Sequence, residues 1–369
     1  MASRKRKIGY IIFVIILALI VVSFFIRLPY EVMEPGDAHN LDPVINVEGG
    51  HEYQQGEFMF MTVRLVQANI YQYALAKVMK YHKIIPLKDL LRPGQNQKEY
   101  HMFQLHLMNS AQFEATYLAY KRAGKNPKVL HKGVIVEGLI NGMPAEKKLK
   151  LGDVIIGVNG KEVKTADDLL NVMKGLAPGK SATLKVKRND KTIKTKVSVG
   201  RFPEKVRKRE KKHGVKHPKK YGIGINLIPN ISLKVNPPVT FHTEQIGGPS
   251  GGLMFTLGIY NRLTKKNWTK GYKIAGTGTM NVVKTNGGEK GVVGPIGGIK
   301  EKVVAADKEN VEIFFAPKAD KNYKHAVEAA KDIGTDMKIV PVKTFQDALD
   351  YLKKLKPKGK NVDAEKKAA

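Results

Sequence analysis

The longest apolar stretch of the chain lies near its start. From Ile8 to Ile26 no residue is charged, and the basic cluster RKRK at 4–7 precedes this stretch. A helix rises about 1.5 Å per residue, so the stretch can cross a hydrocarbon core of about 30 Å. Basic flanks stay cytoplasmic. We therefore predict that residues 1–26 form a cytoplasmic stub and a single-pass helix in the cytoplasmic membrane, with the rest of the chain extracellular.

A cleaved signal peptide is the alternative reading of this segment. Such a peptide has a shorter apolar region followed by a cleavage site of small residues. Here FFIRLPYEV follows the apolar run instead, which favours a retained anchor.

Residues 27–126 show ordinary strand and helix patterns. EFMFMTVRL, from Glu57 to Leu65, is rich in β-forming residues and predicts a strand. ANIYQYALAKVMKYH and SAQFEATYLAYKRAG predict helices, and Gly124 is a suitable stop for the second. No motif with chemistry occurs in this region, so we expect it to serve packing and spacing.

From Lys128 onward, short strands and tight turns alternate with one helix. Asn159-Gly160 suits a type I′ hairpin turn, and Thr165 is a candidate N-cap for the apolar-periodic run that follows it. GMPA at 142–145, LGDVI at 151–155 and VNG at 158–160 resemble a PDZ domain of the bacterial type found beside proteases. The resemblance predicts a PDZ domain over residues 127–200.

A PDZ domain binds an extended peptide as an added strand at a sheet edge. The resemblance implies a groove between the strand Gly133–Val136 and the helix Ala166–Met173. The sequence VLHKGVIV does not match the usual carboxylate-binding loop, so capture of a free C-terminus is not expected.

Composition narrows the chemistry further. The chain has no cysteine, which excludes disulfides, thiolate metal sites and a cysteine nucleophile. GLAPGKS at 175–181 imitates a phosphate-binding loop, but it has three residues where the motif needs four, and a strand pattern follows it. We therefore expect no ATP, no cofactor and no metal.

The formal net charge of +31 indicates an anionic partner or environment. No nucleic-acid-binding module is recognisable, so no nucleic acid is expected. The run Arg201–Lys220 is strongly basic and poor in apolar residues, which predicts a solvated linker or loop. Contact of this run with an anionic polymer or membrane is the alternative.

The sequence GGPSGGLMF places Ser250 among glycines. PVTFHT before it predicts a strand and GLMFTLGIYNRLT after it predicts a helix, so Ser250 lies at a strand-to-helix turn. Free backbone N–H groups at a helix start can stabilise an oxyanion, which makes Ser250 a candidate nucleophile. A plain N-cap serine is the structural alternative.

Two types of base could activate this serine. GPSGG also fits the G-x-S-x-G motif of α/β-hydrolases, but only His325 follows it, on a predicted helix. The segment GVVGPIGGIKEKVVAA instead carries Lys300 and Lys302, and burial among apolar neighbours can make a lysine neutral at pH 7. Lys302 aligns at helical spacing with Ile299 and the alanines at 305–306, and Lys300 with the valines at 303–304, so spacing leaves both open.

Four segments together resemble the proteolytic domain of Lon proteases, the Ser-Lys dyad class: GGPSGGLMF, IAGTGTM, GPIGGIKEKVVAAD and VEIFFAP. With the anchor and the PDZ domain, the whole chain resembles the membrane-anchored Lon-like proteases of Gram-positive bacteria, of the pheromone-processing type. The resemblance implies that Ser250 is the nucleophile, Lys302 its base and Thr277 the residue that holds the lysine amine. It also implies an oxyanion hole from the backbone N–H groups of Gly248 and Ser250.

The expected fold class is thus α/β (α+β) multidomain, with a transmembrane helix, a PDZ domain and a Lon-type proteolytic domain. We place the proteolytic domain at 221–352 and a disordered basic tail at 353–369. The resemblance implies an ATP-independent serine endopeptidase that acts on a peptide or protein substrate outside the membrane, with a homo-oligomer left open. A catalytically silent PDZ scaffold and an anionic-polymer binder are the alternative functions.

Two features depart from the Lon pattern. Lon proteases often have an acidic residue three positions before the serine, where this chain has Gly247. KTNGGEKGVVG lengthens the segment between Thr277 and Lys302, and Asn286-Gly287-Gly288 predicts a hairpin extension there.

Overall fold

The computed structural model describes residues 2–91, 95–189, 191–212, 220–243 and 245–359. The fold divides into two compact units. The first unit combines residues 1–95, 107–125 and 237–369; we call it the proteolytic unit because it contains the segment predicted to be proteolytic. The second combines residues 96–106 and 126–236; we call it the PDZ unit because it contains the predicted PDZ segment.

The first part of the chain alternates long strands with helices. Its elements are α1 (Ala2–Phe25), β1 (Arg27–Asn40), β2 (Ile45–Val47), β3 (Glu57–Asn69), α2 (Ile70–Val78), β4 (Lys83–Pro86), α3 (Leu87–Leu90) and α4 (Gln97–Arg122).

The middle part is mostly strand. Its elements are β5 (Lys128–Leu139), a 3₁₀ turn (Pro144–Lys147), β6 (Val154–Val158), β7 (Lys161–Glu162), α5 (Ala166–Lys174), β8 (Ser181–Arg188), β9 (Lys191–Ser198), β10 (Gly200–Arg201), α6 (Glu204–Lys212), β11 (Tyr221–Gly222) and β12 (Ile225–Lys234).

The last part returns to alternating strands and helices. Its elements are β13 (Val239–Phe241), α7 (Gly252–Leu263), β14 (Lys273–Gly276), β15 (Thr279–Thr285), β16 (Gly288–Gly294), α8 (Ile299–Lys308), β17 (Ile313–Pro317), a 3₁₀ turn (Ala319–Lys321), α9 (Asn322–Ile333), β18 (Lys338–Val342) and α10 (Phe345–Lys354).

A six-stranded mixed sheet forms the centre of the proteolytic unit, in the order β18-β17-β14-β3-β1-β4. Strand β14 is parallel to both of its neighbours, so Gly276 at its end lies opposite Phe60 of β3 and Phe315 of β17. The core side chains of this unit include Met59, Phe314 and Val303, all at most 5% exposed. The sheet therefore positions the segment that follows β14.

The region 27–126 is more than the packing and spacing segment that we expected. Its strand β3 is a direct neighbour of β14, and β1 and β4 extend the same sheet beyond it. A pattern of β-forming residues indicates a strand but not its partner, because the partner lies some 200 residues away. The strand and the two helices predicted here are confirmed as β3, α2 and part of α4.

The PDZ unit contains a sheet in the order β12-β5-β6-β8-β9, with β7 paired to β6. The predicted turn is present, since Asn159 and Gly160 both have positive φ. Thr165 caps α5 through a capping box with Asp168. Asp153 is 1% exposed and forms two hydrogen bonds of 2.7 Å with Arg188.

Three predicted boundaries differ from the structure. Strand β12 pairs with β5, so the sheet of the PDZ unit includes residues that we had placed in a proteolytic domain beginning at 221. The run 201–220 is not a plain linker, because it begins with β10, which pairs with β11, and continues into α6. The rest of that run, residues 213–219, lies outside the described residues.

The predicted tail is also partly ordered. Helix α10 extends to Lys354, and the next residues attach to the proteolytic unit. Lys358 binds the carbonyl of Lys270 through its N–H and forms an ion pair of 2.7 Å with Glu312. Residues 360–369 of the tail lie outside the described part of the chain.

Helix α1 contains the predicted apolar run. Ile8–Phe25 is long and apolar enough to span a membrane, with a mean hydropathy of 3.0. A retained anchor and a signal sequence both fit this observation.

Candidate active site

Ser250 occupies the turn between β13 and α7, as the sequence predicted. Helix α7 begins two residues later, and most of its residues are buried, so the turn is attached to a rigid core element. Gly248 has φ +91°, a conformation that glycine adopts readily and other residues rarely. Ser250 itself is half-buried, so its hydroxyl remains accessible from one side.

The segment after β14 fixes the backbone of this serine. The Gly278 N–H donates to the Ser250 carbonyl at 2.8 Å, and the Thr277 hydroxyl donates to the same oxygen at 3.1 Å. The Leu253 N–H in turn donates to the Gly278 carbonyl at 3.0 Å. The sheet thus sets the position of the serine turn through three hydrogen bonds.

Lys302 meets the serine side chain inside the unit. It lies on α8, whose N-cap is Gly298, and its Nζ is 2.6 Å from Ser250 Oγ and 3.1 Å from Thr277 Oγ1. Lys302 is 2% exposed and Thr277 is fully buried. Burial lowers the pKa of Lys302 from its ordinary 10.5 to about 7.

The structure distinguishes the two lysines that spacing left open. Lys300 is 43% exposed at its side chain and pairs with Glu328 at 2.9 Å. Lys302 points the other way, and its helical neighbours Ile299 and the alanines at 305–306 are all buried. The difference arises because α8 packs one face on the sheet and leaves the other in solvent.

The other candidate base lies elsewhere. His325 is on α9 and is close enough to interact electrostatically with Glu328, which pairs with Lys300 on the solvent side of α8. The hydrogen bonds described for the Ser250 hydroxyl join it to Lys302 and not to a histidine. The geometry therefore favours the Ser-Lys pair over the α/β-hydrolase arrangement.

The two predicted oxyanion donors belong to the turn that precedes α7. Neither the Gly248 N–H nor the Ser250 N–H has a hydrogen-bond partner among the described residues. Their position just before the N-terminus of α7 adds the positive end of its dipole. Such a turn can bind an oxygen that becomes negative.

The predicted peptide groove of the PDZ unit needs correction. Val134 and Ile135 pair with β12 on one side and with β6 on the other, so the strand Gly133–Val136 has no free edge. The outer strands of the described sheet are β12 and β9, and helix α5 packs beside β12. The open edge next to the helix therefore belongs to β12.

The sequence does carry a signal for β12, although we did not use it. INLIPNISLK alternates apolar and polar residues after a glycine-containing turn, which is typical of a half-buried strand. The pattern does not show that β12 pairs with β5. About 85 residues separate the two strands, and alternation indicates a half-buried strand without indicating its partner.

Comparison with known proteins identifies both units. Residues 232–354 match the Lon protease (S16) C-terminal proteolytic domain, and residues 121–199 match the PDZ domain family. A Lon protease of Metamycoplasma arthritidis is 32% identical over 38% of this chain and 15% of its own length. The serine protease Do-like HtrA of Bacillus subtilis is 38% identical over 21% of this chain and 17% of its own length.

Among solved structures, the PDZ domain of an SdrC-like protein from Listeria monocytogenes is similar, with 23% identity and a TM-score of 0.23. It covers 27% of this chain and 93% of that chain. The chain spans only 11–20% of the length of the first curated relatives that it matches. One region of the chain is therefore similar to the proteolytic domain of Lon proteases, and another is similar to PDZ domains.

Proposed function

We propose that this protein is a serine endopeptidase with a Ser-Lys dyad, anchored in the cytoplasmic membrane by α1 and active on its outer side without ATP. The observation that carries the proposal is the buried amine of Lys302, 2.6 Å from the Ser250 hydroxyl. A buried amine with a pKa near 7 is about half neutral at neutral pH, and a neutral amine can accept a proton.

The first half of the reaction forms an ester. Ser250 Oγ attacks the carbonyl carbon of the peptide bond while its proton moves to Lys302 Nζ. The N–H groups of Gly248 and Ser250 bind the oxygen that becomes negative. The C–N bond then breaks, and the Lys302 ammonium gives its proton to the leaving amine.

The second half releases the acyl group. Neutral Lys302 takes a proton from water, the hydroxide oxygen attacks the ester carbon, and the proton returns to Ser250 Oγ as the C–O bond breaks. Thr277 holds the lysine amine in both halves, because its hydroxyl can accept from Nζ while it donates to the Ser250 carbonyl.

The PDZ unit would recruit the substrate or gate its access. An extended segment can pair with the open edge of β12, and apolar side chains of α5 such as Val172 and Met173 are only partly buried beside that strand's Leu227. This arrangement supports recognition of an extended, unfolded segment rather than a folded surface.

The test compares cells that carry the natural chain with cells that carry Ser250→Ala. Peptides from the membrane fraction and from the culture supernatant would be compared by mass spectrometry. We expect a cleavage product that is present with Ser250 and absent with Ser250→Ala. Ser181→Ala, an exposed serine in the PDZ unit, is the matched control and should leave the product unchanged.

The same experiment separates the alternatives. If the protein is a PDZ scaffold, cells with Ser250→Ala keep both the peptide profile and the phenotype of the natural chain. If it binds an anionic polymer, binding falls steeply with salt and survives Ser250→Ala. Purified full-length protein that cleaves an unfolded substrate equally well after ATP depletion would support the ATP-independent reaction.

A further inference from the structure

Helix α2 exposes an unusually apolar face. Tyr71, Leu75 and Val78 are 39%, 54% and 80% exposed, and Ile70 at its start is 44% exposed. At about 100° per residue these positions share one side of the helix. The only charged residue within α2 is Lys77, which lies at the edge of this side, about 20° from Ile70. We call the exposed set Ile70, Tyr71, Leu75 and Val78 the α2 face.

The opposite side of α2 is apolar as well. Ala76 and Tyr73 pack on Val32 and Ala68 of the sheet, so the helix is held in place by a core of its own. An ordinary surface helix turns charged residues outward. Helix α10 does so, with Asp350 and Lys353 in an exposed ion pair. The α2 face departs from that rule.

The α2 face is continuous with the end of the apolar helix α1. The ring of Phe24 stacks on Tyr71 with centroids 4.3 Å apart, and the hydroxyls of Ser23 and Tyr71 are 2.7 Å apart. The Asn69 side chain donates to the Phe24 carbonyl at 3.3 Å and also caps α2 through a capping box. The first turn of α2 is therefore fixed against the last turn of α1.

If α1 spans the membrane, these contacts fix the depth of α2 in the bilayer. The spanning of α1 is a premise that rests on the proposed function. The last turn of a spanning helix lies where hydrocarbon gives way to headgroups. Tyrosine favours that zone, and Tyr71 lies there through its contact with Phe24. The exposed Lys77 and Lys83 that flank the face suit anionic headgroups.

We propose that the α2 face inserts into the headgroup and acyl boundary of the outer leaflet, so that the proteolytic unit rests on the lipid. A helix with an apolar face and flanking lysines binds at this depth. The bilayer is the occupant because the first turn of α2 contacts the last turn of α1, where the spanning helix leaves the bilayer. The membrane thereby becomes a second attachment of the protease, in addition to the spanning helix.

The chain has no cysteine, which allows a clean labelling experiment. Full-length protein with Leu75→Cys or Val78→Cys would carry an environment-sensitive fluorophore. It would be placed, one chain per disc, in nanodiscs of phosphatidylglycerol and phosphatidylcholine. Val129→Cys, at 41% exposure in the PDZ unit, is the matched control, and Leu17→Cys reports on α1.

We expect spin-labelled lipid to quench the fluorophore at 75 and 78, and aqueous iodide to quench it about threefold less than at 129. Shielding without lipid quenching, or shielding only with two chains per disc, would mean that a second copy covers the face and would overturn the proposal.

The result also distinguishes this inference from the proposed function. If lipid quenches the label at 17 while the labels at 75 and 78 stay as open as that at 129, the inference is wrong and the anchor stands. If lipid does not quench the label at 17, the shared premise fails. Peptide cleavage by the same samples reports separately on the Ser250 dyad.

Discussion

The two units each bury a charged residue type, but they treat it in opposite ways. In the PDZ unit, Asp153 is 1% exposed and Arg188 binds both of its carboxylate oxygens at 2.7 Å. In the proteolytic unit, Lys302 is 2% exposed and its described side-chain partners are two hydroxyls, those of Ser250 and Thr277. The carboxylate has a counter-ion, whereas the amine has neutral partners.

This contrast separates a structural group from a reactive one. A buried charge that is hydrogen-bonded to an opposite charge is compensated in place, and removal of its partner is strongly destabilising. A buried amine with neutral partners loses its proton near pH 7, which costs stability and provides a base. Burial of Lys302 therefore lowers the stability of the proteolytic unit, and the proposed chemistry explains why an amine is buried there.

The largest effect is expected from Lys302→Met, which removes the base and retains the apolar shape. Loss of a residue that acts on the nucleophile lowers the rate by about 10⁴-fold or more. We expect kcat/KM for an unfolded substrate to fall by that order. Lys300→Met, the exposed neighbour, should stay within about twofold, because surface ion pairs contribute little. Equal losses in the two variants would contradict the assignment.

The same variant should be more stable than the natural protein at low pH. The folded pKa of about 7 lies below the unfolded 10.5, so the unfolded chain binds more protons between these values and stability rises with pH across them. Below pH 7 the amine is protonated in both states, and the free energy of unfolding is lower by about 5 kcal/mol than if the pKa were unshifted. Lys302→Met should therefore raise Tm at pH 6 and change it little near pH 10.5. An equal change at both pH values would show that the amine is compensated.

The next effect concerns the paired charge. Arg188→Met leaves the Asp153 carboxylate buried without its partner, which costs about 3–5 kcal/mol. Urea unfolding followed by hydrogen exchange should show the loss in the PDZ unit. Lys187→Met, an exposed neighbour on β8, is the control. Cleavage of a short peptide should be unchanged, since the dyad lies in the other unit; a matching loss of cleavage would argue against this separation.

The pH profile of cleavage gives an effect of intermediate size. Below pH 7 the neutral fraction of Lys302 falls about tenfold per pH unit. We expect kcat/KM to be about a hundredfold lower at pH 5 than on the plateau above pH 8. Lys300→Met should keep the inflection. A flat profile between pH 5 and 8 would exclude a lysine base with this pKa.

The smallest effect is expected from Thr277→Val, which removes one hydroxyl at almost constant volume. Two hydrogen bonds are lost, and we expect kcat/KM to fall about tenfold. The ammonium form of Lys302 loses an acceptor, so the acid limb of the pH profile should move to lower pH. Thr277→Ser restores the hydroxyl and should restore the inflection. A similar fall in kcat/KM without a shift of the acid limb would indicate that Thr277 only packs against its neighbours.

Much of the PDZ unit could be predicted from local patterns. The turn at Asn159-Gly160 and the cap at Thr165 depend on residues within a few positions of each other. The groove could not be predicted in the same way. The strand that borders it, β12, comes late in the chain, and only the sheet order shows that it covers the edge of β5.

The proteolytic unit depended more on long-range pairing. The hairpin at Asn286-Gly287-Gly288 was visible as a turn, and β15 and β16 confirm it. The role of β3 was not visible, because a strand pattern carries no information on its partner. The same holds for the bond from Thr277 to the Ser250 carbonyl, which joins residues 27 positions apart.

The order of apolar, glycine and hydroxyl residues was enough to reveal an apolar helix, a PDZ-like segment, a serine turn and a helix with two candidate lysines, since each depends on neighbours along the chain. Which lysine loses contact with water, and what it then touches, was decided by the packing of α8 on a sheet assembled from both ends of the chain. Desolvation is a property of the surroundings in space, so the amine acquires its lowered pKa only when the fold closes around it.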